Sequence, residues 1–413
     1  MFWLYKWLED RDITSAGEAE YRLKEPKELA GLHDLAAAVP YTTEPLDSTT
    51  GEWDLLGGRG VDLSGELDCF AWECRKAQVD KLLSHAWHYF DRIVVVGPSA
   101  HRVAGDLENG ASEAGLGRLT SDIRLLLYLR EIGAEPLVVF RQKPPPCEVH
   151  LDLHAREVGL DQALVCLDAL AERAARVAEI QTQRHGDHFH YEFVHPRFEH
   201  TVWGTVRPEG QDLPFEVSRA VFRRYMSHLT SDVRAAQTLS LPLASTIQVH
   251  GDLLGLTARS PSAAELMFDL RLPVVDGADV RTLLELREAE GEYFERFRLA
   301  LRLAAEERLP AGDHDSVAIA QQIQREVIEP AIADIAVRLR AAADTLAVKT
   351  RLTTRLSAVL IACGVYLQEP LIVSAGLTAA GASMQAWMKH EDEVGRARLS
   401  NMFFLWEAEQ HRH

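Results

Sequence analysis

Val79, Leu82, Leu83, Ala86, Trp87 and Phe90 recur at helical spacing and predict a helix with one apolar face. Arg92 to Gly97 follows at once as a β-branched run without alternation, the pattern of a strand covered on both faces in a parallel sheet. The pair of signals then repeats. Ser121 and Asp122 offer a helix start, Ile123 to Ile132 a helix and Gly133 a stop, and Leu137 to Phe140 reads as a second buried strand closed by Pro144-Pro145-Pro146. Gly60 to Leu63 is a third candidate strand. This alternation predicts an α/β domain with a small parallel sheet, the runs 92–96 and 137–140 joined by a right-handed crossover through the 121–132 helix.

Beyond the prolines an alanine-rich helix is expected from about Asp161 to Ile180. Phe189, Tyr191 and Phe193 then alternate with His188, His190 and Glu192, the period of a half-buried strand. Pro196-Arg197 makes a turn, and Phe198 to Val206 reads as the return strand. Thr246 to Gly251 and Leu266 to Leu272 are further strand candidates. From Val280 the chain reads as helical. Arg281 to Arg308 is charge-dense, with Leu284, Phe294, Phe297 and Leu301 as its apolar points. Ile328, Ile332, Ile335, Leu339, Ala342 and Leu346 step by fours and threes in a short coiled-coil-like seam. The expected organisation is an irregular acidic cap over 1–60, an α/β domain over 61–180, a mixed region with a β-hairpin over 181–275 and an all-helical domain over 276–413.

One stretch of the helical domain stands apart. Between Arg355 and Lys389 the sole charge is Glu369, and Gln368-Glu369-Pro370 divides the stretch in two. A bilayer span needs about 20 mainly apolar residues. The first half is too short, and the second is diluted by Ser374, Thr378, Ser383 and Gln385. Ala375, Ala379 and Ser383 form a small-residue stripe on which another helix can lie closely. A buried apolar hairpin over 356–388 accounts for the pattern best, and contact with a membrane is the alternative. The C-terminal helices are the expected surface for a homo-oligomer.

Composition narrows the class. Of 413 residues, 47% are hydrophobic and 26% charged, which suits a globular chain of two to three domains. A formal net charge of −18 argues against direct binding of double-stranded nucleic acid, which needs a basic surface. Five cysteines, an odd number in a long chain, do not make a secreted disulfide framework. The apolar start Met1 to Leu8 lacks the basic region and cleavage site of a signal peptide. A cytoplasmic location is expected, peripheral to the inner membrane if the apolar hairpin meets lipid. Arginine in excess of lysine, with abundant alanine, points to a GC-rich bacterial genome.

Open α/β sheets bind ligands at the carboxyl ends of their strands. Here those ends are Gly97-Pro98-Ser99-Ala100-His101, Arg141-Gln142-Lys143 and the stretch from Asp62 to Asp68. Asp62 and Asp68 could supply oxygen ligands to Mg²⁺ or Mn²⁺. His101 could act as acid or base, and Ser99, Arg141 and Lys143 could hold an anionic small molecule such as a phosphate. Together these roles fit metal-assisted hydrolysis of a phosphorylated or nucleotide substrate, with Asp62, Asp68 and His101 catalytic. The plainer account makes the aspartates caps and the cations solubilising charges. Zinc is not expected: Cys69, Cys74, Cys147, His150 and His154 match no standard spacing. Among His185, His188, His190, His195 and His200, His188 and His190 fall on one strand face within reach of a metal, but a solvated face over aromatic packing is the simpler reading. No P-loop, dinucleotide fingerprint or nucleophile elbow is present. The competing function class is a non-enzymatic sensor or effector, of the stress or phage-defence type, whose C-terminal helices oligomerise or engage a membrane.

Overall fold

The computed structural model describes residues 2–331, except 41–50, 66–70, 109–110, 144–147, 199, 209, 211, 258–261, 271–279, 290 and 310–315. The apolar segment 356–388 and the seam beyond Ile328 therefore lie outside the described residues, as do Asp68, Cys69 and Cys147. The chain divides into two compact units. Met1–Asp269 with Ala311–Ser316 forms the first, and Leu270–Pro310 with Val317–His413 the second.

The first unit is built on a parallel sheet of β1 (Asp54–Gly57), β2 (Arg92–Val96), β3 (Val138–Arg141) and β7 (Leu243–Ala244), in the order β3-β2-β1-β7. Both β-branched runs are strands of this sheet and pair directly, Ile93 beside Val138 and Val96 beside Arg141. Leu55, Leu56, Ile93, Val94, Val95 and Val138 are all buried, so both faces of the sheet are covered. This explains why the runs lack alternation. Across the first register pair, Arg92 bonds Asp54 at 2.6 Å.

The crossovers are α4 (Trp72–Ala86) between β1 and β2, and α5 (Ala100–Glu108) with α6 (Glu113–Glu131) between β2 and β3. The α6 helix begins eight residues before the expected start, because the Ser112 side chain accepts from the Gly115 amide as its cap. Ser121 and Asp122 are instead buried within it. Gly133, at φ +73°, stops the helix as expected.

Residues 3–37, expected to be irregular, form α1 (Trp3–Glu9), α2 (Ala16–Arg22) and α3 (Pro26–Ala37). Trp3, Leu4, Tyr5, Trp7 and Leu8 of α1 are core residues, and Phe2 packs on Phe140 of β3 with ring centroids 4.8 Å apart. Ser15 caps α2 by accepting from Glu18, and Pro26 opens α3 in a first-turn position. Gly60 to Leu63 is a loop and not a strand; the strand lies a few residues earlier, at β1.

After β3 the chain makes α7 (Leu151–Glu157) and α8 (Asp161–Ala175), then an antiparallel sheet of β4 (Glu179–His185), β5 (His188–Val194) and β6 (Val202–Val206). The α8 helix ends five residues earlier than expected, since Ile180 already belongs to β4. Tyr191 and Phe193 of β5 are buried, as their alternation implied. They join the core formed by α8 and the 27-residue α9 (Leu213–Leu239). From α9 the chain returns to the far side of β1 as β7. The segments from Thr246 and Leu266, expected as strands, are α10 (Gln248–Gly255) and α11 (Ala263–Asp269). Val249 and Leu253, four apart on α10, are buried, a helical period that a short apolar run does not reveal.

The second unit contains α12 (Val280–Ala289), α13 (Gly291–Arg308) and, up to residue 331, further helix. Phe294, Phe297 and Leu301 are buried on α13. Among the described residues, no helix is long and apolar enough to cross a membrane.

Candidate functional site

Strands β1 and β7 are neighbours, but β1 leads away toward β2 while β7 arrives from the opposite side. This reversal of strand order is where open α/β sheets bind their ligands. The loop leaving β1 there is Gly57-Gly58-Arg59-Gly60. The Gly58 amide donates to the Ala244 carbonyl at 2.7 Å, which keeps the loop against β7. Gly60 has φ +97°, and a Cβ on it would lie 2.6 Å from Thr246 Oγ1, so no larger residue fits. The turn fixes both backbone groups of Arg59. Its amide donates to Asp232 Oδ2 at 2.9 Å, and its carbonyl accepts from Ser245 Oγ at 2.8 Å.

Helix α9 carries the other half of the site. Tyr225, His228 and Asp232 are spaced by three and four residues, hence on one helix face. Asp232 is 1% exposed and is the convergence point. Its Oδ1 accepts from Arg141 Nη2 at 3.1 Å and from Lys143 Nζ at 2.7 Å. Arg59 Nη1 donates to His228 Nε2 at 2.7 Å, and its guanidinium lies over the Tyr225 ring, 5.6 Å from the centroid. That bond leaves the His228 proton on Nδ1, which is buried with no partner among the described residues. Arg141 Nε and Nη1 are likewise buried without a partner among them.

The electrostatics follow from burial. Asp232 is held far below the ordinary carboxylate range because Lys143 and Arg141, with the Arg59 amide, outweigh the desolvation that opposes its charge. Burial lowers both Arg59 and Arg141, and Asp62 and Asp232 act in the opposite direction on each. Burial, then Arg59 and Lys143, pushes His228 well down. His250 on α10 is fully buried, touches Ser245 Oγ through Nδ1 at 3.2 Å, and is lowered by burial to about 4. Both histidines are therefore neutral near pH 7. Among the described residues, Arg59, Arg141 and Lys143 face the carboxylates of Asp62 and Asp232, and the Arg224 charge also acts on Arg59, so positive charge is in excess.

The residues expected from the sequence are distributed unevenly around this cluster. Arg141 and Lys143 are at its centre. Asp62 is half-buried and close enough for its charge to act on Arg59 and Arg141, while its Oδ1 accepts from the Ser64 amide and hydroxyl. Ser99 caps the N-terminus of α5, its hydroxyl accepting from the Arg102 amide. Gln142 occupies another amide at that helix end, accepting from Ala100 and donating to the Pro98 carbonyl. His101 is the second residue of α5 and half-buried. The pairing of Asp62 with Asp68 rests on a residue outside the described set. Among the described residues, no group of three or more His, Cys, Asp or Glu side chains is placed to hold a metal ion.

A second buried ion cluster supports the loop after β1. Arg75 Nη2 donates to the Leu63 carbonyl at 2.8 Å and to Asp122 Oδ1 at 3.1 Å, and Arg102 also pairs with Asp122. The Leu63 amide donates to the Val96 carbonyl, so residues 61–65 are tied across the ends of β1 and β2. Burial raises Asp122 to about 6 against the pull of both arginines.

Arg59, His228, Asp232, Ser245 and His250 were not singled out from the sequence. The signals were an arginine among three glycines directly after a strand, and an aspartate among the apolar positions of a long helix. The chain matches no family model, no curated protein and no solved structure.

Proposed function

We propose that this protein binds a phosphorylated small molecule, nucleotides included, at the carboxyl edge of its parallel sheet. The observation that carries the reading is Arg141. Its guanidinium is buried at the strand-order reversal, one Nη is spent on Asp232, and Nε and the other Nη have no partner among the described residues. Buried donors are expensive unless satisfied, and Nε–H and Nη1–H lie on different edges of the guanidinium, so each offers its own charge-assisted bond to an anionic oxygen. The excess positive charge of the cluster favours an anion, and Lys143 and Asp62 bring it to the surface.

Metal-assisted hydrolysis is the reaction class that suits such a site. A Mg²⁺ or Mn²⁺ ion would arrive with the phosphate, and Asp62 would be its carboxylate on this chain. His228 and His250 are poor acids here because burial keeps them neutral.

The test is a set of melting curves in chloride, phosphate, pyrophosphate and nucleotides, with and without Mg²⁺ or Mn²⁺, while phosphate release is followed in the same samples. The reading expects stabilisation by the phosphorylated compounds at constant ionic strength. Release of phosphate with Mg²⁺ or Mn²⁺ would support hydrolysis. Stabilisation without turnover would leave a sensor or effector, and no stabilisation by any of them would overturn the proposal.

A further inference from the structure

The outer face of the β4–β5 hairpin carries a feature that the anion site does not use. His185 and His188 are register partners across a two-residue turn, Gly186-Asp187, in which Gly186 has φ +65°. That tight turn fixes the register, and His190 follows His188 on the same face. The three rings are mutual neighbours, with centroids 5.2 Å (His185–His190), 5.4 Å (His188–His190) and 6.2 Å (His185–His188) apart. Tyr191 and Phe193 point to the opposite, buried face, so the hairpin is anchored from below.

We propose that His185, His188 and His190 form a site for a borderline divalent transition-metal ion, with Zn²⁺ as the reference ion. Three imidazoles bound at about 2.0–2.1 Å around a tetrahedral ion place their ring centroids roughly 5 Å apart, close to the spacing of this trio. The nitrogens do not converge as they stand; binding requires rotation of the three side chains, which is open to them because His185 and His190 are exposed and His188 half-exposed. Asp187 Oδ1 lies 3.2 Å from His188 Nδ1, and Arg207 pairs with Asp187 in turn. A carboxylate holding Nδ1–H orients Nε2 for a metal. Three nitrogen ligands leave a fourth position open, and a soft or borderline ion is preferred over Mg²⁺ by imidazole.

The test is calorimetric titration of the full chain with Zn²⁺, repeated with Mg²⁺, at neutral pH. The expected result is saturable Zn²⁺ binding that Mg²⁺ does not reproduce. The double variant His185→Gln with His190→Gln should weaken it by at least about tenfold. Replacing His150 and His154, whose rings are also neighbours, should leave it unchanged. Circular dichroism of the variants verifies that the fold is kept, as expected for exposed positions. Absence of saturable Zn²⁺ binding, or binding that survives the double variant, would overturn the proposal.

Discussion

Arg141 and Asp232 are 91 residues apart in the chain and meet at 3.1 Å, one at the end of β3 and the other on the long helix α9, both wholly buried. An ion pair this deep costs desolvation and repays it through geometry, so removing one partner is far worse than never having had the pair. Asp232→Asn leaves Arg141 and Lys143 facing each other without a counter-charge. The expected loss is roughly 3–5 kcal/mol in denaturant unfolding. A loss under about 1 kcal/mol would mean that water reaches the cluster and screens it.

Acid should weaken the protein before its carboxylates titrate. His250 has a folded-state value of about 4 against 6.5 for the free side chain. The unfolded state therefore binds more protons between these values, and stability falls as pH drops below 6.5. At 1.36 kcal/mol per unit, His250 alone removes about 2 kcal/mol by pH 5. His228 acts in the same direction. Asp122, raised to about 6, acts oppositely, gaining stability as pH falls through its folded value toward 3.8. The expected outcome is a net loss between pH 7 and 5 that His250→Gln makes shallower, read from unfolding curves at each pH.

Gly60 tests the turn that presents Arg59. An alanine there must hold φ +97° and put its Cβ within 2.6 Å of Thr246 Oγ1. Gly60→Ala should cost roughly 1–3 kcal/mol, while Gly117→Ala, on an open helix surface with nothing within 4 Å, should be neutral or stabilising. Thermal unfolding of both variants makes the comparison.

Asp62→Ala separates binding from chemistry. Its side chain bonds Ser64 at the surface of the cluster, so the fold should survive with a change of about 1 kcal/mol or less. Any hydrolysis that depends on Mg²⁺ or Mn²⁺ should disappear. Activity that persists would exclude Asp62 from the metal's coordination.

The parallel sheet was legible because covered strands cannot alternate: Arg92–Val96 and the run at Val138 announce themselves by composition alone. Arg141 and Lys143 were legible for the same reason, as the first polar residues after a buried strand. Other elements were hidden by their partners. Trp3 to Leu8 is too short to show a helical period, and its burial depends on Phe140 and α6. β4 carries almost no apolar residue because it is an exposed edge, held by backbone pairing to β5. Asp232 could not be foreseen as a partner of Arg141, since no local pattern encodes a contact between residues 91 positions apart.

The most direct measurement is calorimetric titration of pyrophosphate and ATP into the intact protein and into Lys143→Met, at two salt concentrations. Lys143 is the least buried of the residues that pair with Asp232, so its loss should spare the fold. The account predicts saturable binding that weakens as salt rises and falls by roughly tenfold in the variant, the worth of one charge-assisted hydrogen bond. A folded wild-type protein that binds neither compound, or a variant that binds both as tightly as wild type, would contradict it.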